Sequence, residues 1–297
     1  MLLNKIINFC TSTNNLFAIS LAILCAIIMS IDAIVVRFLS KDINPFVVVF
    51  FRTLFGLFFF IPFILRNKSI LHTNYCFMHI IRAVLKIFAL VAMFLAIKYE
   101  NLMEVTSISF TSPLFLIFGA VLILKEDYNK KSFLSAILGF FGVVVIMLPG
   151  LNKISFGLLW AVLGAILIAT IQLILKKMLD KDKTETLVAW NLILMVILAS
   201  IPAYIYWVTP TLNILLLLII QGSLGAIAMS VMTKAFSLTN ASLLAPIDFI
   251  RLPLVTLIAF IIFNEIPSFR SILGAFMILL AVILITINSN DNNIYNN

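Results

Sequence analysis

Residues 101–126, NLMEVTSISFTSPLFLIFGAVLILKE, and residues 240–265, NASLLAPIDFIRLPLVTLIAFIIFNE, are two versions of one stretch. Laid over each other they align Asn101 with Asn240, Ile108 with Ile247, Phe110 with Phe249 and Glu126 with Glu265. An offset of 139 or 140 residues also brings Lys41-Asp42 onto Lys181-Asp182, Pro62 onto Pro202 and Ala96 onto Ala235. Two or three matches would mean little in so apolar a chain. Polar and proline landmarks that keep one register through four apolar runs indicate an internal repeat.

The chain has 297 residues, of which 63% are hydrophobic and 11% charged. A soluble domain runs near 45–50% apolar and about 25% charged. No single globular core absorbs that excess, so the composition excludes a soluble enzyme, a disordered chain and a nucleic-acid binder. A bilayer-crossing helix needs about 20 apolar residues, roughly 17–25. Ten segments qualify, at about 16–36, 46–65, 78–97, 104–124, 133–149, 154–175, 187–208, 212–233, 241–263 and 269–287. The first is too long for a signal-peptide core and lacks a small-x-small cleavage pattern after it, so it reads as a retained span. The tail from Asn288 is polar. The expected architecture is all-α and integral to the membrane, with repeats at residues 1–150 and 151–297. Five spans per copy is an odd number, so a tandem copy enters the bilayer from the other side. Such inverted-topology repeats typify secondary transporters, with a central cavity between the copies.

The 20 Lys and Arg outnumber the 12 Asp and Glu, for a net charge of +8. In a membrane protein, basic loop residues first set topology. Lys5, Arg66, Lys68, Lys125, Lys130, Lys131, Lys176, Lys177, Lys181, Lys183 and Lys234 fall on one side. Arg37, Lys41, Lys98, Lys153 and Arg270 fall on the other. Both termini are therefore expected in the cytoplasm, in a multi-pass membrane protein. The odd cysteine count (Cys10, Cys25, Cys76) without CxxC argues against a disulfide framework. His72 and His79 have no metal-ligand spacing, and GxSxG, Walker A and GxGxxG motifs are absent. An intramembrane enzyme would need a nucleophile–base or metal constellation, for which no motif exists. No catalytic residue, metal or cofactor is expected.

The informative residues are those that do not belong in lipid. A charge at the bilayer centre costs roughly 2.5–3.5 kcal/mol on insertion scales. Asp32 lies in the first span and Arg52 in the second. Arg82 and Lys86 share a face of the third span, and Asp248 and Arg251 share one in the ninth. The repeat adds Ser109, which falls on Asp248, and Gln172, which falls on Asp32; Arg82 falls on Gln221 and Ser112 on Arg251. Polar residues recurring at equivalent depths fit one cavity faced by both halves. Blander readings stand beside this one. Arg82 is about one turn inside its span and can snorkel to headgroups. Asp248 and Arg251 can neutralise each other, and Asp32 can pair with Arg37. Single Ser and Thr residues, Thr106, Ser107, Thr111 and Ser112 among them, suit helix–helix glue. Gly139, Gly142, Gly222 and Gly225 read as packing. Trp190 and Trp207 sit where an aromatic belt would lie. Lys86 is hardest to dismiss, ~13 Å deep at 1.5 Å per residue.

Two stretches carry a resemblance. Ser112-Pro113-Leu114 through Glu126 runs on to Leu138-Gly139-Phe140-Phe141-Gly142-Val143. Ala241-Ser242-Leu243-Leu244-Ala245-Pro246 runs through Phe263-Asn264-Glu265 to Leu273-Gly274-Ala275. These resemble the Pro…Glu…Gly-x-x-Gly-Val pattern of EamA-type permeases of the drug/metabolite transporter superfamily. Two departures occur: Met277 replaces the second glycine, and Lys125 stands where the family often has Gly before the acid. The resemblance implies alternating access, a cavity between spans 1–4 and 6–9, outer support from spans 5 and 10, and structural roles for Glu126 and Glu265. Phe50-Phe51-Arg52, Met78-His79-Ile80-Ile81-Arg82-Ala83, Lys234-Ala235-Phe236-Ser237 and Phe263-Asn264-Glu265-Ile266-Pro267 resemble S-adenosylmethionine uptake permeases of intracellular bacteria. Uptake of that metabolite is the implied lead activity. Export of amino acids, riboflavin or drugs on the same fold is the alternative. The expected partners are a small-molecule substrate and the lipid bilayer, with proton or exchange coupling and oligomeric state open.

Overall fold

The computed structural model describes residues 2–39, 43–99, 105, 108–127, 130–147, 156–264 and 269–291. Lys41, Asp42, Asn101, Thr106, Ser107, Lys153, Glu265, Ile266 and Pro267, used above, lie outside these ranges; the side chains of Lys5, Cys10, Arg37 and Lys98 are likewise not described.

Among the described residues the chain is helical and has no strand. The helices are α1 Leu2–Leu39, α2 Pro45–Arg66, α3 Cys76–Tyr99, α4 Ser112–Ile123, α5 Lys130–Met147 and α6 Phe156–Met178. Then come α7 Thr184–Ile205, α8 Leu212–Leu238, α9 Ala241–Leu244, α10 Arg251–Phe263 and α11 Phe269–Asp291. Among the described residues, seven helices are long and apolar enough to cross a membrane, while Ser112–Ile123 and Ile272–Leu284 are apolar but shorter. Their outward surfaces are apolar, as on Phe58, Phe77, Leu122, Ile201 and Leu212. That is the reverse of a water-soluble exterior.

Two predicted spans, the fourth and the ninth, are not continuous helices. In the fourth, a turn at Phe110 and Thr111 precedes α4, and the Thr111 N–H donates to Ile108 O at 2.9 Å. In the ninth, α9 passes into a 3-10 helix, Ala245–Ile250, before α10 begins at Arg251. Proline accompanies both breaks. Pro113 and Pro246 sit in first turns, where a missing N–H is tolerated, and Ala245 before Pro246 keeps α-region angles (φ −53°, ψ −45°). The breaks fall at matching repeat positions, Phe110 on Phe249. The ends match too: Lys125 and Asn264 are left-handed, with φ of 56° and 55°. Asn tolerates that geometry and Gly is freest in it. A glycine is therefore the natural residue at position 125.

Packing couples the chain's first half to its second. α5 packs on α11, α1 and α2 on α8, α3 on α6 and α7, α2 on α7, α4 on α6, and α1 on α10. Two crossings need glycine for lack of room. A Cβ at Gly142 would lie 2.8 Å from Gly274 O, where α5 meets α11. A Cβ at Gly222 would lie 2.9 Å from both Arg52 O and Gly56 N, where α8 meets α2. Glu126 closes a further joint, accepting from the N–H groups of Ala241 (2.8 Å) and Ser242 (3.1 Å) and from the Ser242 hydroxyl (2.8 Å). A carboxylate there satisfies free donors at the start of α9.

Candidate functional site

Six of the eight predicted residues form one connected set. Arg52 on α2 reaches across to Asp32 on α1, with Nη1 2.9 Å from Oδ2. Asp32 thus pairs with Arg52, while the side chain of its other suggested partner, Arg37, is not described. The Asp32 side chain is 4% exposed and that of Arg52 is 28% exposed, so the pair has one open end. Gly225 on α8 makes room for it: a Cβ there would lie 2.9 Å from Arg52 Nε. Arg251 is also close enough to Asp32 to act on it electrostatically.

Arg251 is the first residue of α10, where the helix dipole disfavours a cation. Asp248, one turn earlier in the 3-10 segment, offsets this with Oδ1 3.7 Å from Arg251 Nη1. That spacing is loose and both side chains keep about a third of their surface open. The self-neutralising pair foreseen for the ninth span therefore exists, and it keeps an accessible face.

The third span carries the unbalanced charge. Arg82 does not snorkel: it is buried, and its Nη2 donates to Leu187 O of α7 at 2.7 Å. Lys86 is half-buried and its Nζ donates to Asn191 Oδ1 at 3.4 Å. Arg52 and Arg82 both act on Lys86 electrostatically. Among the described residues neither Arg82 nor Lys86 has a carboxylate partner. Four cations therefore meet two carboxylates, and the surplus lies on one face of α3. Buried atoms without a hydrogen-bond partner among the described residues include Asp32 Oδ1, Arg82 Nη1 and Arg251 Nε. Such atoms are uncommon in folded proteins and suit a site that handles a polar ligand or water.

Ser109 and Gln172 stand apart. The Ser109 hydroxyl donates to Val105 O at 2.8 Å within its own segment, and Gln172 is half-buried on α6. Asn191 and Gly225 were not foreseen. For Gly225 the repeat offset held a signal, because Lys86 falls on it. Trp190 is no simple belt residue: its Nε1 donates to Leu71 O at 3.1 Å and its ring stacks on His79. Trp207 is half-exposed beside Phe50 and Phe51.

A family model of EamA-like transporters matches residues 16–148 and 155–287. The S-adenosylmethionine uptake transporter of Rickettsia bellii is 31% identical over 257 residues, 86% of this chain and 88% of that one. The S-adenosylmethionine uptake transporter of Rickettsia prowazekii is 29% identical over 264 residues, 89% of this chain and 90% of that one. A riboflavin transporter of Rhizobium johnstonii is 28% identical over 236 residues, 79% of this chain and 78% of that one. A chain of known crystal structure superposes with a TM-score of 0.80 at 17% identity, over 94% of this chain and 98% of its own, which speaks for the fold alone. The family match covers most of the chain in two consecutive copies, and the chain belongs to the EamA-like transporter family.

Proposed function

We propose that the chain is a secondary transporter that takes up S-adenosylmethionine, or a close zwitterionic relative, across a bacterial inner membrane by alternating access. The observation that carries this reading is the charged set joining α1, α2, α3 and the broken ninth span. Its surplus cation Lys86, with the open end of Arg52 in electrostatic reach, attracts a carboxylate. Asp248, accessible and loosely paired, meets an amino or sulfonium group. S-adenosylmethionine carries one carboxylate and two cationic centres, so it engages both ends. Arg82, held by the Leu187 carbonyl, orients the face on which Lys86 stands. The S-adenosylmethionine transporters among the relatives support this substrate.

The architecture proposed is ten spans in two inverted five-helix repeats, residues 1–150 and 151–297, with both termini cytoplasmic. Three features support it. The family model matches twice, and the spans that break are the fourth and ninth. The principal helix contacts also map onto themselves when the halves are exchanged: first on eighth with sixth on third, second on eighth with seventh on third, fourth on sixth with ninth on first. Discontinuous helices at a repeat interface are where transporters of this kind build their sites. Ser109 and Gln172 complete the proposed lining at positions equivalent to Asp248 and Asp32.

Uptake by proteoliposomes from a panel of S-adenosylmethionine, amino acids, riboflavin and nucleobases, with and without a proton gradient, tests the substrate. Flat uptake of S-adenosylmethionine removes it. A second reading, riboflavin transport, is favoured by the riboflavin transporters among the relatives; export on the same fold is the alternative direction. Efflux from preloaded cells compared with uptake by intact cells separates the directions.

A further inference from the structure

The α2–α3 and α6–α7 connections meet in a polar cluster that the charged site does not use. Asp182 lies between α6 and α7 with a fully buried side chain. Among the described residues, its carboxylate takes its side-chain hydrogen bonds from residues 73–79, in the other half of the chain. The Thr73 hydroxyl donates to Oδ2. The Asn74 backbone N–H donates to Oδ1 at 2.9 Å and its Nδ2 does so at 3.3 Å. His79 Nε2 lies 3.3 Å from Oδ2, and the ring stacks on Trp190 at 5.5 Å. Trp190 ties back to Leu71, and Lys181 Nζ sits 5.5 Å from the centre of the Tyr75 ring. Burial works to raise the Asp182 carboxyl, but the Asn74, Thr73 and His79 hydrogen bonds outweigh it and hold the group below the usual carboxylate range.

We propose that Asp182 is the latch of the gate that closes this face of the transporter, fastening the second half onto the start of α3. Three features make it a latch rather than ordinary packing. Its contacts cross between the halves and are made by its side chain, so they can be released locally without breaking a helix. Asp182 sits on a short connection, where release costs no intrahelical bond. And His79, Arg82 and Lys86, spaced three and four residues apart, share one face of α3, which presents them in turn to Asp182, Leu187 O and Asn191. A single face of α3 thus runs from the latch into the charged site. A ligand anion that pulls on Lys86 pulls on the helix that the latch holds.

The inference rests on the transport reading, so its test has one arm that needs no substrate. Spin labels at Ser69→Cys and Lys183→Cys, both exposed positions, span the latch in a background with Cys10, Cys25 and Cys76 replaced by serine. The latched protein gives a short, narrow distance distribution. Asp182→Ala adds a population longer by several ångströms, and Asp182→Asn or His79→Phe adds a smaller one. An unchanged distribution in Asp182→Ala overturns the latch whatever the protein transports; should that variant fail to insert, Asp182→Asn carries the same comparison. In the second arm, a Thr73→Cys/Asp182→Cys pair is oxidised in proteoliposomes. Uptake is lost on cross-linking and returns on reduction. Undiminished uptake by the cross-linked protein shows that the gate never opens there and overturns the proposal. If the unmodified protein moves no panel compound, the transport reading fails while the distance arm still decides the latch.

Discussion

Asp32 and Arg52 are the one close ion pair within the predicted spans among the described residues, and each needs the other. Removing one partner of a buried pair costs about 3–5 kcal/mol, because the remaining charge is stranded. Arg52 is partly open, which puts the expected loss at the low end of that range. Asp32→Ala therefore lowers thermal stability in detergent, and Asp32→Ala/Arg52→Met recovers part of it. Additive losses across that double-mutant cycle would show that the pair is not coupled. Asp182 makes a pH prediction with a definite sign. Its carboxyl is held low when folded, so its contribution is present above the ordinary value near 4 and is lost only as pH falls below that. Acidification from pH 7.5 to 5.5 therefore leaves the distance across the latch unchanged, and pH 3 lengthens it. At this scale the sequence identified the intruding charges and the Asp248–Arg251 pair, but not the partners of Asp32, Arg82 and Lys86. Arg82 bonds to the Leu187 carbonyl, and a backbone acceptor has no residue signature. Gly225 was legible through the repeat offset, once Lys86 was carried across it.

The helices carry two further predictions. Lys125 holds a left-handed conformation that costs a non-glycine residue roughly 1–2 kcal/mol. Lys125→Gly relieves it and raises the melting temperature without changing uptake; an unchanged or lower melting temperature would contradict this. Gly222 is the opposite case. Backbone atoms of Arg52 and Gly56 block any Cβ there, and backbone does not yield as a side-chain tip does. Gly222→Val costs about 1–3 kcal/mol by overpacking, measured as loss of folded protein on heating. Where the apolar runs lie was plain from composition, since each predicted segment contains helix. That the fourth and ninth are broken was not. Pro113, Pro246 and Pro253 were visible, but proline permits a kink, a 3-10 turn or a break. Contacts to neighbouring helices choose among these.

Across the whole molecule, most helix-to-helix contacts join one half of the chain to the other, and the charged set lies among helices of both. The surplus of positive charge in the membrane is local. It sits on α3, beside a carboxylate pair that cannot neutralise it, and it defines the anionic end of the proposed substrate. Lys86 is the sharpest probe of that account, since its described hydrogen bond is to neutral Asn191 at 3.4 Å and little of the fold depends on it. The decisive measurement is uptake of labelled S-adenosylmethionine by proteoliposomes holding equal amounts of wild-type and Lys86→Ala protein. The account predicts saturable uptake by the wild type and its loss in the variant, with insertion and melting temperature preserved. Wild-type protein that carries no S-adenosylmethionine, or a variant that carries it equally well, would contradict it.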